Sequence, residues 1–370
     1  MQENSRPASN STVTRVRKVT VSADRDGQRI DNFLRNELPG VPKGRIYRLL
    51  RRGEVRVNGG RIKAQYKLRE GDEVRIPPAR VDAGGPVPPA KQAAAVLDHV
   101  LYEDKRLLVV NKPSGIAVHG GSGVSHGVIE LLRHARPELG DLSLVHRLDR
   151  ETSGCLVVAK KRSALRELHA RFREGRVEKN YLALVVGDWQ FGERLIDKPL
   201  LVQNRKGGER HVVVSKGGKP AQTEVSLSRT FGKYSLLVCS PQTGRTHQIR
   251  VHFAHAGHPL VGDPVYGDDR RARGVHHLDR AAAERMVRGA RRQLLHATRL
   301  SFAHPVSAEP VVVESPAPPD LAAVGVVVAE FLGGTNAFMA VWSGYSDRSS
   351  SRYSTTSRMT RRAAAEPAPG

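Results

Sequence analysis

The sequence predicts an α+β chain in two parts: a small basic α/β module, then a larger domain built on a mostly antiparallel mixed sheet. Three observations carry this expectation. Between Lys18 and Arg80, apolar residues recur at helical spacing. From Leu97 to Glu314 they come instead in short β-branched runs, such as RLLVVNK, CLVVAKK, YLALVVG, ERHVVVS, YSLLVCS and EPVVVES. Proline and glycine are dense over 77–95, which reads as a linker because neither helix nor sheet tolerates that composition.

Residues 1–17 are polar and expected to be disordered. In the basic module, 18–80, Ile30, Phe33, Leu34 and Leu38 predict a helix that Pro39-Gly40 ends. Lys43 to Arg52 predicts a second helix, with Ile46, Leu49 and Leu50 on one side and Arg45, Arg48, Arg51 and Arg52 around the other; Gly53 stops it. EVRVNGG, Glu54 to Gly60, is a strand running into an Asn-Gly turn. LREGDEVRIP, Leu68 to Pro77, is a turn and a closing strand. After the linker, 81–96, the large domain spans 97–315. One helix is expected there, Ser163 to Phe172, with Ser163 as N-cap and Leu165, Leu168 and Phe172 on one face. Residues 316–370 begin with SPAPPD and become low-complexity and basic, so a disordered tail is expected.

At 370 residues the chain is long enough for two or three cores. Sixty Lys and Arg face 37 Asp and Glu, a net charge of +23 that points to a polyanionic partner. Biased Arg codon usage does not explain a surplus over acids. The basic module alone holds sixteen Lys and Arg against eight acids. Cys155 and Cys239 are the only cysteines, which excludes a disulfide framework and a CxxC metal knuckle. MQENSRPASNS has no apolar core of a signal peptide, and the run Leu321 to Ala329 is too short to cross a bilayer. A soluble, cytoplasmic protein is expected, and a monomer, because no long apolar stripe is present.

The most informative stretch is HRLDRETSG, His146 to Gly154, a charged connection between the strand-like runs LSLV and CLVVA. Charge held on a connection between two buried strands is read as a site, because the strands can aim its side chains. Asp149 is its short carboxylate, Thr152 and Ser153 supply hydroxyls that can hold it, and Gly154 permits a tight turn. Arg147 and Arg150 flank the aspartate. That setting favours the ionised form and suits a nucleophile better than a general acid. Read alone, the loop equally fits an aspartate that ties a β-turn.

HRLDxxTSG is the signature of RluA-like pseudouridine synthases, and the chain resembles that family over nearly its whole ordered length. NKPSGIAVHGGSG (Asn111 to Gly123) is similar to the family's KPxG block, and EKNYLALVVG (Glu178 to Gly187) to the block with its active-site tyrosine. QTGRTHQIRVH (Gln242 to His252) resembles its basic motif, followed by HPLVGDPVYG (His258 to Gly267) and LLHATRLSF (Leu294 to Phe302). Residues 18–80 look like an S4 RNA-binding domain. The family commonly has an aromatic where His126 stands.

The resemblance implies isomerisation of uridine to pseudouridine in large-subunit ribosomal RNA, without cofactor or metal; related enzymes act on other ribosomal positions or on tRNA. It implies Asp149 as nucleophile, attacking the sugar or adding to the base, and Tyr181 packed on the flipped uracil. Arg245 is implied as the salt-bridge partner of Asp149, and Arg147 as a wedge that stacks where the base was. Arg45, Arg48, Arg51 and Arg52 would grip phosphates; His119 and His146 would position loops or touch RNA. Without the resemblance, Tyr181 reads as a strand-core tyrosine. His247, His252, His255 and His258 are explained by a basic strand–helix surface as well as by zinc. Cys155, at the start of a buried strand, is expected to be inert. Two other classes remain to be weighed: a catalytically silent RNA-binding or ribosome-assembly factor, and a glycosylase that releases uracil.

Overall fold

The computed structural model describes residues 11–38, 41–82, 88–120, 125–140, 142–204, 210–231, 234–267, 290 and 292–322. Its described residues fall into two compact units, each discontinuous in sequence.

The first unit holds the basic module. There β2 (Arg17–Thr20), β3 (Arg56–Val57), β4 (Gly60–Arg61) and β5 (Glu73–Ile76) form a sheet in the order β2-β5-β3-β4. Helices α1 (Ile30–Glu37) and α2 (Lys43–Arg52) pack their apolar sides into one core with it, where Ile30, Phe33, Leu34, Ile46, Leu49, Val74 and Ile76 are buried. Gly53 ends α2 in the left-handed region at φ 68°, which costs a residue without Cβ little. Asn58 (φ 49°) and Gly59 (φ 78°) make the expected β3–β4 turn. Pro39-Gly40 lie outside the described residues.

Two segments expected to lack structure have it. Strand β1 (Ser11–Val13) pairs antiparallel with β6 (Arg80–Asp82), and the adjoining Thr14 Oγ1 accepts from the Ala79 amide at 3.0 Å. Backbone pairing of this kind needs no alternation of apolar residues, so the sequence gives no sign of it. Within the linker, Ala90–Ala95 forms helix α3 after Pro89. Its residues, AKQAAA, contain neither Gly nor Pro, and alanine is the strongest helix former.

The first unit continues with β7 (Val100–Glu103), β8 (Leu107–Lys112), helix α4 (Val128–Ala135), the short β9 (Ser143–Leu144) and, from Cys155 on, β10 (Ser153–Ala159). Strand β8 lies between β7 and β10, and β9 runs antiparallel to the end of β10. Glu130 Oε2 accepts the Gly127 amide at 2.9 Å and so caps α4, whose Leu131 and Leu132 are buried. Helix α5 runs Arg162–Arg173 with Lys161 at the N-cap, so Ser163 sits inside the first turn and does not cap it. Leu168 is buried; Leu165 and Phe172 are half-buried.

The second unit is a mostly antiparallel sheet in the order β12-β15-β16-β11-β17, made of β11 (Glu178–Val186), β12 (Arg194–Asp197), β15 (Gln222–Phe231), β16 (Tyr234–Pro241) and β17 (Leu295–Ala303). A hairpin of β13 (Leu200–Asn204) and β14 (Arg210–Val214) stands beside it. Ser153 and Gly154 pair in parallel with His296 and Ala297. Helix α6 (Gln248–His255) buries Gln248 through Phe253 without interruption. It therefore shows no apolar stripe, and periodicity does not announce it. Asp320 and Leu321, in the segment expected to be a disordered tail, are anchored: Leu321 is buried beside Val261 and Leu294. The rest of the tail, 323–370, lies outside the described residues.

Candidate active site

HRLDRETSG is the connection between β9 and β10. His146 Nε2 accepts the Val157 amide at 3.0 Å, and its ring stacks on Phe172 of α5 with centroids 4.8 Å apart. Leu148 is buried, Arg147 is exposed and Asp149 is half-buried. The next residue is held from outside the loop: the Arg150 carbonyl accepts from Lys112 Nζ at 2.9 Å and from the Gly115 amide at 3.0 Å. Lys112 is fully buried and also donates to the Pro113 and Ile116 carbonyls, at 2.7 and 2.8 Å. An ammonium without water needs such partners, and here it fixes the residue following the aspartate.

The far end of the motif, Glu151–Gly154, belongs to the second unit. Arg292, with its side chain 4 % exposed, donates to the Glu151 carbonyl at 2.9 Å and to Ser153 Oγ at 3.3 Å. Its other donors form a two-point pair with Asp320, at 2.5 and 2.9 Å. Ser153 Oγ also meets His296 Nδ1 at 2.9 Å, and Gln293 Nε2 donates to Thr152 Oγ1 at 3.4 Å. Among the described contacts, the two hydroxyls expected to hold Asp149 serve these partners instead. Gly154 has φ 109°, and a Cβ there would lie 2.2 Å from the Ala297 carbonyl oxygen. Close backbone approach therefore requires glycine here, not only a turn.

Burial pushes the His296 imidazole down to about 4, with Arg292 adding to the shift and the Ser315 carbonyl and Asp320 opposing it. The folded chain binds its proton less readily than the unfolded chain. His296 therefore contributes stability that is complete above the usual 6.5 and is lost as pH falls from there towards 4. The expected loss is about 3 kcal/mol. Denaturant midpoints at pH 7.5 and 4.5 check this: the native chain should lose more on acidification than His296→Gln, and equal losses would refute the assignment.

Tyr181 lies half-buried on β11, against the core containing Ala183, Leu237 and Phe253. The β11–β17 register shifts between Asn180 and Tyr181, an irregularity of the sort that re-aims a side chain.

Arg245 is exposed in the turn before α6; its amide donates to Gln248 Oε1 at 3.0 Å and its Nε to the Pro220 carbonyl at 2.9 Å. The following block braces this turn. His247, in the left-handed region at φ 53°, is bonded through Nδ1 to Tyr266 Oη at 2.8 Å. Arg250 and Asp263 form a buried pair at 2.7 and 2.9 Å. Burial alone would raise the Asp263 carboxyl, but bonds from Arg250 outweigh it and hold the group below its usual range.

One of the histidines expected on a basic surface is inside: His252 is fully buried between Thr223 Oγ1 and the Lys198 carbonyl, while His258 is half-buried and packs edge-on against Trp189. His119 is exposed, as are Arg45, Arg48, Arg51 and Arg52 on α2, while Cys155 is buried.

Lys112, Arg292, Asp320 and His296 are the residues that sequence reasoning missed. Lys112 closes an otherwise apolar run, LLVVNK, and that placement was the available signal.

The model of the RNA pseudouridylate synthase family matches residues 106–255, and that of the S4 domain matches 28–74. The chain is 53% identical over 304 residues to ribosomal large subunit pseudouridine synthase C of Escherichia coli K12, covering 81% of this chain and 93% of that protein. The protein of the same name from Pasteurella multocida is 50% identical over 310 residues, covering 83% and 92%. Among solved structures, human RNA pseudouridylate synthase domain containing 4 matches with a TM-score of 0.51 at 24% identity, over 65% of this chain and 96% of that one, a likeness of fold. With half its residues shared along four-fifths of its length, and with the HRLD loop, its supports and an S4 module in place, this chain belongs to the RNA pseudouridylate synthases.

Proposed function

We propose that the chain converts uridines of large-subunit ribosomal RNA to pseudouridine, with Asp149 as the nucleophile. The observation that carries the target class is the 53% identity, over 93% of its length, to a protein named for that RNA. The reaction breaks the bond from the ribose anomeric carbon to uracil N1, turns the ring and joins the same carbon to C5; C5 loses a proton and N1 ends with one. The exchange is redox-neutral and needs no energy input, so we assign no coenzyme or metal.

Asp149 attacks the sugar or adds to the base, and in either case supplies the negative charge that a developing cation at the ribose requires. We assign Arg147, exposed and beside it in sequence, as the wedge that fills the stack when the uridine leaves. Tyr181 holds the detached ring on a flat face that lets it rotate, and Arg245 is assigned as the salt-bridge partner of the carboxylate. His146 positions the loop, and exposed His119 contacts RNA. Residues 18–80 act as the RNA-gripping S4 domain through Arg45, Arg48, Arg51 and Arg52, and 97–315 as the catalytic domain. We place the protein in the cytoplasm as a monomer; no helix among the described residues is long and apolar enough to cross a membrane.

The test is to offer the purified chain large-subunit rRNA and tRNA from cells lacking its gene, and to map pseudouridine in both. The rRNA should gain it at a few discrete positions. Conversion of tRNA with rRNA untouched would remove the target assignment.

A further inference from the structure

Beside the β13–β14 hairpin, the second unit gathers cations and backbone donors that none of the assigned roles uses. The Lys198 amide donates to the Ala221 carbonyl at 3.1 Å, and Leu200 and Lys219 exchange backbone bonds at 2.9 and 2.8 Å. These bonds lay the stretch SKGGKPA, 215–221, along the start of the hairpin. Within it the Gly218 amide donates to the Ser215 carbonyl at 2.9 Å and closes a tight turn. A Cβ on Gly218 would lie 2.5 Å from the Leu200 carbonyl carbon, so the turn is held hard against β13.

Lys216 and Gly217, at the tip of this turn, are exposed, and their backbone amides have no acceptor among the described residues. A Cβ on Gly217 would meet only Ser215 Oγ, at 4.0 Å, so the backbone there is open to a ligand. Lys198 and Lys219 are exposed as well, and no side chain of the three lysines has an acidic partner among the described residues. Asp197, beside Lys198, accepts instead from Gln222 Nε2 at 2.8 Å. Successive free amides flanked by uncompensated ammonium groups suit an anion. The turn is also tied to the candidate active site, because Arg245 Nε donates to the carbonyl of Pro220, the residue after Lys219, at 2.9 Å.

We propose that the turn at 215–219 seats a backbone phosphate of the RNA strand close to the target uridine, with the Lys216 and Gly217 amides and the Lys198, Lys216 and Lys219 side chains as its donors. The inference rests on the RNA-modifying reading above, which pairs Arg245 with the Asp149 carboxylate. A phosphodiester fits because its two unesterified oxygens accept several donors at once, and the lysines gain by releasing the counterions of a polyanion. Ammonium groups and backbone amides aimed at a phosphate read no base edge, so the turn positions the strand and does not select its sequence.

The full-length chain carrying K198Q, K216Q and K219Q is compared with the native chain for binding to unmodified large-subunit rRNA across a KCl series. The slope of log affinity against log salt should shrink by about two to three, and affinity near 100 mM should fall about fivefold or more. KM should rise, with kcat at saturating RNA within about twofold of native. K91Q with K105Q and K161Q, which removes three exposed cations elsewhere, controls for net charge. A second variant, G217E, places a carboxylate at the amides where there is room for the side chain; it alters net charge by as much as K105Q. G217E should lower affinity about threefold or more relative to K105Q. Lysine losses no greater than the control's, or G217E matching K105Q, overturn the seat; a turn that held only a free anion would give that result. All binding is repeated in the Asp149→Asn background. Failure of the native chain to make pseudouridine would instead count against the functional reading, and the binding series would still decide the seat.

Discussion

Asp149→Asn is expected to lower pseudouridine formation by about 10⁴-fold or more while changing RNA affinity by no more than about twofold. The asparagine keeps the shape of the side chain and removes only its charge and nucleophilicity. The other short side chains of the loop do not replace them: Arg147 and Arg150 are cations, the hydroxyls of Thr152 and Ser153 are engaged by Gln293, His296 and Arg292, and the longer carboxylate of Glu151 stands two residues on. Affinity should survive because the phosphate contacts proposed above lie on other residues, the exposed arginines of α2 among them. A variant that still turned over at a tenth of the native rate would assign the chemistry to another group.

Arg292→Met is expected to destabilise the fold by about 3 kcal/mol or more. The guanidinium is buried, and it satisfies the carbonyls of Glu151, Gln293 and Leu295 as well as Ser153 and Asp320. Removing it leaves those acceptors unmatched and strands a carboxylate. Burial alone would raise the Asp320 carboxyl, but bonds from Arg292 outweigh it and hold the group below its ordinary range. Adding Asp320→Leu should recover part of the loss, because the stranded charge is then gone. Denaturant midpoints of the two single variants and the double variant measure the coupling. Strictly additive losses, or a loss under about 1 kcal/mol for Arg292→Met, would show that the pair does not hold the end of the HRLD motif.

The parts legible in the sequence are those where local chemistry and tertiary packing agree. Helix α2 shows its apolar side and its terminal glycine, the Asn58-Gly59 turn demands its residues, and a charged loop between two apolar runs stands out. Helix α6 failed this test because it is buried all round: QIRVHFAH has Ile249, Val251 and Phe253 at alternate positions and resembles a strand. The supports of the HRLD loop were hidden for a different reason. Lysine and arginine are ordinarily surface residues, so Lys112 and Arg292 look solvated until their carbonyl partners are seen. Asp320 lies in a proline-rich stretch whose composition says linker, and its pairing with Arg292, with the burial of Leu321, shows that the ordered chain continues there.

The most direct measurement incubates the purified native chain and Asp149→Asn, in parallel, with large-subunit rRNA from cells lacking the gene, and follows both pseudouridine and free uracil. The account predicts pseudouridine at discrete positions with the native chain, none above background with the variant, and no uracil released by either. Uracil release, silence from the native chain, or equal product from the two would contradict it.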